Sequence, residues 1–144
     1  MKIVINRCYG GYGLSHKAVI EYAKLVDIKL YAYISDGEIT ASSDKNKYRL
    51  FVGGKRDGWA VIHYVKRKLK DGEDIDDVGD NDYFSEGDIP RNDLYLVKVV
   101  EELGVKANGN YAKLKIVEIP DNVEWQIEKY DGMEWVAEKH RKWL

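Results

Sequence analysis

The chain has 144 residues, 44% of them hydrophobic and 33% charged, with 23 Lys and Arg against 25 Asp and Glu for a formal net charge of −2. A chain of this length buries a core without disulfides or metal, and its charge balance argues against non-specific binding to polymeric nucleic acid, which needs a strongly basic surface. Cys8 is the single cysteine, which excludes an intrachain disulfide and a thiolate metal cluster.

No apolar run approaches the roughly 20 residues that span a bilayer. The opening MKIVINRC reads as a strand and lacks the apolar region of a signal peptide. The cytoplasm is therefore the expected location, with no membrane partner. Tyrosine is frequent, with 11 Tyr and 4 Trp against 2 Phe. Such rings serve cores, interfaces and ligand walls alike, because an apolar body carries a polar edge.

Lys2 to Asn6 is expected to be a strand, and its continuous apolar Ile3, Val4 and Ile5 predict burial on both faces. Arg7 to Leu14 is a glycine-rich loop. Ser15 is placed to cap a helix from about His16 to Leu25, with Leu14 and Val19 as a hydrophobic staple. Leu30 to Ile34 is a second strand closed by a turn at Ser35, Asp36 and Gly37. Ser42 to Lys47 is loop-like. Tyr48 to Val52 reads as a short strand ending at Gly53 and Gly54.

Ala60 to Leu69 reads as a helix with Val61, Ile62, Val65 and Leu69 on one side, preceded by Asp57 as a cap that Gly58 weakens. Glu73 to Asp88 is expected to be the least compact part, a solvated loop with eight carboxylates in sixteen residues. The spacing and final Glu of an EF-hand are missing from it. Tyr83 and Phe84 interrupt the acids and either pin the loop down or face a ligand.

A third helix is expected from Asn92 or Asp93 to just before Gly104, its C-cap. Asn108-Gly109 marks a turn, and Tyr111 to Ile119 a strand ended by Pro120. Val123, Trp125 and Ile127 alternate with Glu124, Gln126 and Glu128. Asp131-Gly132 is a strong two-residue hairpin turn, and Met133, Trp135 and Ala137 continue the second arm. The tail from His140 to Leu144 is basic and aromatic. The expected fold is a single compact α+β domain over residues 1–144, with a mixed or antiparallel sheet, about three helices, an acidic loop at 73–88 and a terminal hairpin at 123–138.

Two constellations carry chemistry. The first is the strand, glycine-rich loop and helix start of residues 6 to 17, an arrangement that suits an anion. Gly10 and Gly11 permit close backbone approach, Ser15 opens the helix, Arg7 and Lys17 add charge, and Tyr9 or Tyr12 can stack on a base. Read structurally, the same residues are a tight turn and a capped helix. The loop matches neither the dinucleotide nor the nucleotide-triphosphatase pattern. The second is Tyr83-Phe84 through Arg91-Asn92, with Asn108 to Tyr111 in addition. Arg91 is suited to a phosphate, and Asn92 to a helix cap or a base edge.

Cys8 and His16 lack a legible third group for nucleophilic catalysis. His16, His63 and His140 lack metal-ligand spacing. No catalytic residue, cofactor or metal is therefore expected.

The opening N-R-C-Y-G-G-Y-G-L-S-x-x-A of residues 6 to 18 resembles a family of small bacteriophage-encoded proteins. Ile89-Pro90-Arg91, Asp93, Val97 to Gly104, Ala107-Asn108-Gly109, Ala112 to Pro120 and Glu124 to Glu138 extend the resemblance along most of the chain. Length and inferred build are similar to the phage anti-defence proteins that counter the Thoeris system. The resemblance implies a non-enzymatic sponge in the host bacterial cytoplasm. Such a sponge sequesters a cyclic ADP-ribose-type signal, in some cases also cyclic oligonucleotides, without cleaving it. It also implies a homodimer or an assembly of dimers with pockets at subunit boundaries. Asn110 is included in the expected ligand set, although related chains more often carry Arg there. The alternatives are a protein-binding inhibitor of a host enzyme, supported by the acidic segment, and a phage structural or accessory protein.

Overall fold

The computed structural model describes residues 1–35, 48–53, 61–140 and 143. In chain order the elements are β1 (Lys2–Asn6), α1 (His16–Leu25), β2 (Tyr31–Ser35), β3 (Tyr48–Leu50), β4 (Ile62–Val65), β5 (Tyr83–Phe84), α2 (Leu94–Leu103), β6 (Leu114–Glu118), β7 (Trp125–Tyr130) and β8 (Met133–Glu138). Short 3₁₀ turns lie at Ile75–Asp77, Glu86–Asp88 and Gly104–Ala107. The chain divides into two compact units, one formed by Met1–Val26 with Glu86–Leu144 and the other by Asp27–Ser85.

In the first unit β1 pairs antiparallel with β6, from Lys2 opposite Glu118 to Asn6 opposite Leu114. The other edge of β1 meets side chain and loop instead of a strand. Val4 N–H donates to the Arg91 carbonyl at 2.9 Å, and Asn6 N–H to Glu134 Oε1 at 2.8 Å. Ile3, Val4 and Ile5 are accordingly buried, as their unbroken apolar run requires.

Helix α1 begins where Ser15 accepts the Ala18 N–H, and α2 where Asp93 accepts from Tyr95 and Leu96. Gly104 closes α2 with φ of 57°, a conformation in which Cβ is costly. The helices pack together through Ala18, Val19, Tyr22 and Ala23 on one side and Leu96, Val97, Val99 and Val100 on the other.

The second unit is a four-stranded antiparallel sheet of order β3-β2-β4-β5. Tyr33, Val65 and Ile75 form its core cluster, with Tyr31, Tyr48, Leu69, Val78 and Tyr83 packed against it.

Three expectations are corrected. The described part of the Ala60–Leu69 segment is not a helix but contains β4. Tyr64 and Val65, adjacent in sequence, are both buried. Adjacent residues of a strand point to opposite faces, so both faces are covered at that end of β4. Hence there are two α-helices, not about three, among the described residues. The strand expected from Tyr111 is confined to Leu114–Glu118, because residues 108–113 form a loop fastened to the first loop.

The acidic segment exposes Asp76, Asp77, Asp80 and Asp88 and is tethered at its other acids. Arg67 binds Glu73 through NH1 and NH2 at 2.7 and 2.8 Å and Asp82 through Nε at 3.0 Å. Ile75 is buried beneath it.

Finally, the hairpin turns at Asp131-Gly132 as expected, but its inward face differs. A two-residue turn makes Tyr130 the partner of Met133, so Ile127 opposes Val136, and Lys129 opposes Glu134. Glu134 therefore faces inward and is 4% exposed, while Trp135 is 40% exposed. The Gly54, Asp57 and Gly58 readings, the Asp36-Gly37 turn, the Ser42–Lys47 loop and most of the basic tail lie outside the described residues.

Candidate functional site

Asn6, at the end of β1, is wholly buried and acts as a polar hub. Its Nδ2 donates to the carbonyls of Cys8 at 2.9 Å and Gly132 at 2.8 Å. Its Oδ1 accepts the Lys113 N–H at 2.8 Å and the Cys8 thiol at 3.3 Å. One amide thus fastens three segments at one end of the first unit: the glycine-rich loop, the 108–113 loop and the hairpin turn. Such a network is rigid when every member is satisfied.

The glycines serve this junction. A Cβ on Gly10 would collide with the Tyr111 carbonyl, and one on Gly132 would lie 3.0 Å from the Tyr9 carbonyl oxygen. A Cβ on Gly109 would lie 2.8 Å from the Gly13 carbonyl carbon. Gly11, at φ of 147°, meets nothing within 4 Å. Close backbone approach is therefore used at Gly10 for chain-to-chain packing, while Gly11 remains open.

The three joined segments each carry an exposed tyrosine. Tyr9 is 65% exposed, Tyr111 62% and Tyr130 73%. Asn110 is exposed beside Tyr111. Arg7 donates through NH1 to the Glu134 carbonyl at 2.8 Å, and its residue is otherwise exposed. Lys113 and Lys129 are exposed on the same segments.

Behind this end lies a buried ion pair. Arg91 NH1 and NH2 bind Glu134 Oε1 and Oε2 at 2.8 and 3.0 Å, and NH1 also reaches the Val4 carbonyl at 3.2 Å. The Arg91 guanidinium carbon lies 3.3 Å from the centroid of the Tyr12 ring, a stacked cation–π contact. The Tyr12 hydroxyl is buried without a hydrogen-bond partner. Burial pushes its pKa up to about 12, with Arg91 opposing the rise and Glu86 and Glu134 adding to it.

The helix start is likewise occupied. Leu14 N–H donates to Glu86 Oε2 at 3.1 Å, Ser15 N–H to the Ala107 carbonyl at 2.9 Å, and Ala18 N–H to Ser15 Oγ at 3.1 Å. Carboxylates of the protein, Glu86 and Glu134, thus take the donors expected to hold an anion at Leu14 and Arg91. Lys17 is exposed in the first turn of α1.

The expected residues do not form one cluster in the first unit. Arg7, Tyr9, Gly10, Gly11 and Asn110 lie at the tyrosine-bearing end, and Tyr12 and Arg91 behind it. Asn92 lines an open groove of about 420 Å³ with Met1, Lys2, Leu94, Val97 and Asp121. It does not cap α2, since Asp93 does. Tyr83 and Phe84 belong to the second unit. There Tyr83 OH lies 2.9 Å from His63 Nδ1, and Phe84 pairs with Tyr64.

Glu134 and Tyr130 were not among the expected site residues, and Asn6 and Tyr111 lay within the two expected constellations without a role of their own. The only signal for Tyr130 and Glu134 was their distance from the Asp131-Gly132 turn, which fixes the register. Among the described residues, no helix is long and apolar enough to cross a membrane, and no group of three His, Cys, Asp or Glu is arranged to hold a metal. No family model, curated protein or solved structure matches the chain.

Proposed function

We propose that the chain is a non-catalytic binding protein whose tyrosine-bearing end takes an anionic, base-containing small molecule. The observation that carries this reading is the exposure of Tyr9, Tyr111 and Tyr130 on three segments fastened together by Asn6. Exposed rings on a fixed frame offer stacking surfaces at low entropic cost. Arg7, Lys113 and Lys129 supply positive charge on the same segments. The resemblance noted in the sequence specifies the ligand as a cyclic ADP-ribose-type signal, sequestered and not cleaved. The exposed Trp135 and Tyr130 on the outer face of the hairpin favour a homodimer that completes the pocket.

The test is calorimetric titration of the full chain with cyclic ADP-ribose, repeated with Y9A/Y111A. Base–aromatic stacking is worth about 1–3 kcal/mol per ring, so the double variant loses at least about tenfold in affinity. Wild-type affinity in that variant overturns the assignment to this end. Retention of one stoichiometric host protein, with no nucleotide bound, replaces the reading with a protein-binding inhibitor.

A further inference from the structure

The second unit carries a separate arrangement of ring and charge. Tyr31 opens β2 and stands opposite Val65, the last residue of β4. Chain entering β2 and chain leaving β4 therefore emerge at the same end of the sheet. Lys29 lies on the first of these segments and Lys68 on the second. Both reach the same ring, with Nζ atoms 5.4 and 5.8 Å from the Tyr31 centroid. Tyr31 itself is half-buried against the core cluster of Tyr33, Val65 and Ile75, which fixes the ring.

Two ammonium groups at one ring repel each other, and each gains little from the ring while exposed. Some cations of the chain are answered by carboxylates, Lys2 by Glu101, Lys24 by Glu21, and Arg67 by Glu73 and Asp82. Arg67, next to Lys68 in sequence, takes the nearby acids for itself. Lys29 and Lys68 have no carboxylate partner among the described residues. An anion with more than one charge can engage both ammonium groups at once and be oriented by the fixed ring.

We propose that Lys29, Lys68 and Tyr31 form a binding site for a multiply charged phosphate group, such as pyrophosphate or a phosphate monoester. The site shares no residue with the tyrosine-bearing end and stands or falls without it.

The probe is sodium pyrophosphate, titrated into the full chain at low ionic strength and followed by calorimetry and by NMR of the Tyr31 ring. The expected result is saturable binding that shifts the Tyr31 resonances. K29Q/K68Q loses about tenfold or more in affinity, since each tenfold step is only 1.4 kcal/mol. K66Q/K70Q removes two exposed lysines of the same segment and changes affinity by no more than about twofold. The proposal is overturned by the absence of saturable binding. It is equally overturned if K66Q/K70Q weakens binding as much as K29Q/K68Q, because the effect is then diffuse lysine charge.

Discussion

Glu134 and Arg91, 43 residues apart, form a two-pronged ion pair at 2.8 and 3.0 Å with only 6% and 19% of their side chains exposed. The pair joins the terminal hairpin to the segment that leads into α2. Because Glu134 also accepts the Asn6 N–H, it holds the edge of β1 that has no neighbouring strand. Removing one partner leaves the other charge buried and alone. E134A is therefore expected to destabilise the protein by about 3–5 kcal/mol in chemical denaturation. R91M/E134L is expected to cost less than the sum of its single variants, since it strands neither charge. Additive losses would show that the two groups act separately.

Tyr12 gives a prediction of the opposite sign. Its hydroxyl is buried and unpartnered, so Y12F removes a polar group that gains nothing from folding. The variant is expected to be as stable as wild type or more stable by about 1 kcal/mol at neutral pH.

The same group adds an alkaline dependence. The folded pKa is raised from 10.0 to about 12, so the unfolded chain ionises first and stability falls as pH rises from 10 towards 12. Wild type should lose stability relative to Y12F across that window. Parallel denaturation curves for the two proteins at increasing pH measure the difference, and curves that stay equally spaced count against it.

Gly10 and Gly11 separate packing from backbone freedom. G10A forces the Tyr111 carbonyl away, which displaces the 108–113 loop. A loss of roughly 2–4 kcal/mol is expected, in the range of severe core and strain defects. G11A meets no atom and bears only the cost of its positive φ, about 1 kcal/mol. Thermal unfolding of both variants checks the order. Tyrosine-end binding should fall further in G10A, because that substitution moves Tyr111.

Arg67 organises the acidic segment of the second unit. Its hydrogen bonds to Glu73, assisted by the Lys70 N–H, hold that carboxyl down to about 2 from 4.5. A depressed carboxylate contributes above its unfolded pKa and loses that contribution as pH falls through its folded one. The clamp should persist below pH 4.5 and fail near 2. NMR titration of Glu73 reads this directly. R67A should raise hydrogen exchange around Ile75–Asp82 at neutral pH.

Local chemistry made much of the fold legible. Ser15 as a cap, Gly104 as a stop and Asp131-Gly132 as a turn act through neighbouring backbone, so a sequence window contains the whole cause. The β4 segment failed because a central strand buried on both faces loses its alternation. Val61, Ile62, Val65 and Leu69 then fit a helical face equally well. Glu134 failed for a different reason. A carboxylate between Met133 and Trp135 reads as solvent-facing until the turn register and the distant Arg91 are both known. Tyr9 was legible as a candidate from its motif. Tyr111 was legible only as part of a separate constellation and Tyr130 not at all, because Asn6 gathers both from segments more than a hundred residues away.

Sequestration at the tyrosine-bearing end requires that a nucleotide-like ligand be held intact. The most direct measurement is native mass spectrometry of the protein after incubation with cyclic ADP-ribose, followed by denaturation and analysis of the released ligand. The expected result is an oligomer carrying ligand in fixed stoichiometry, with the ligand recovered at its original mass. A chain that retains no ligand, or that releases a cleaved product, would contradict it.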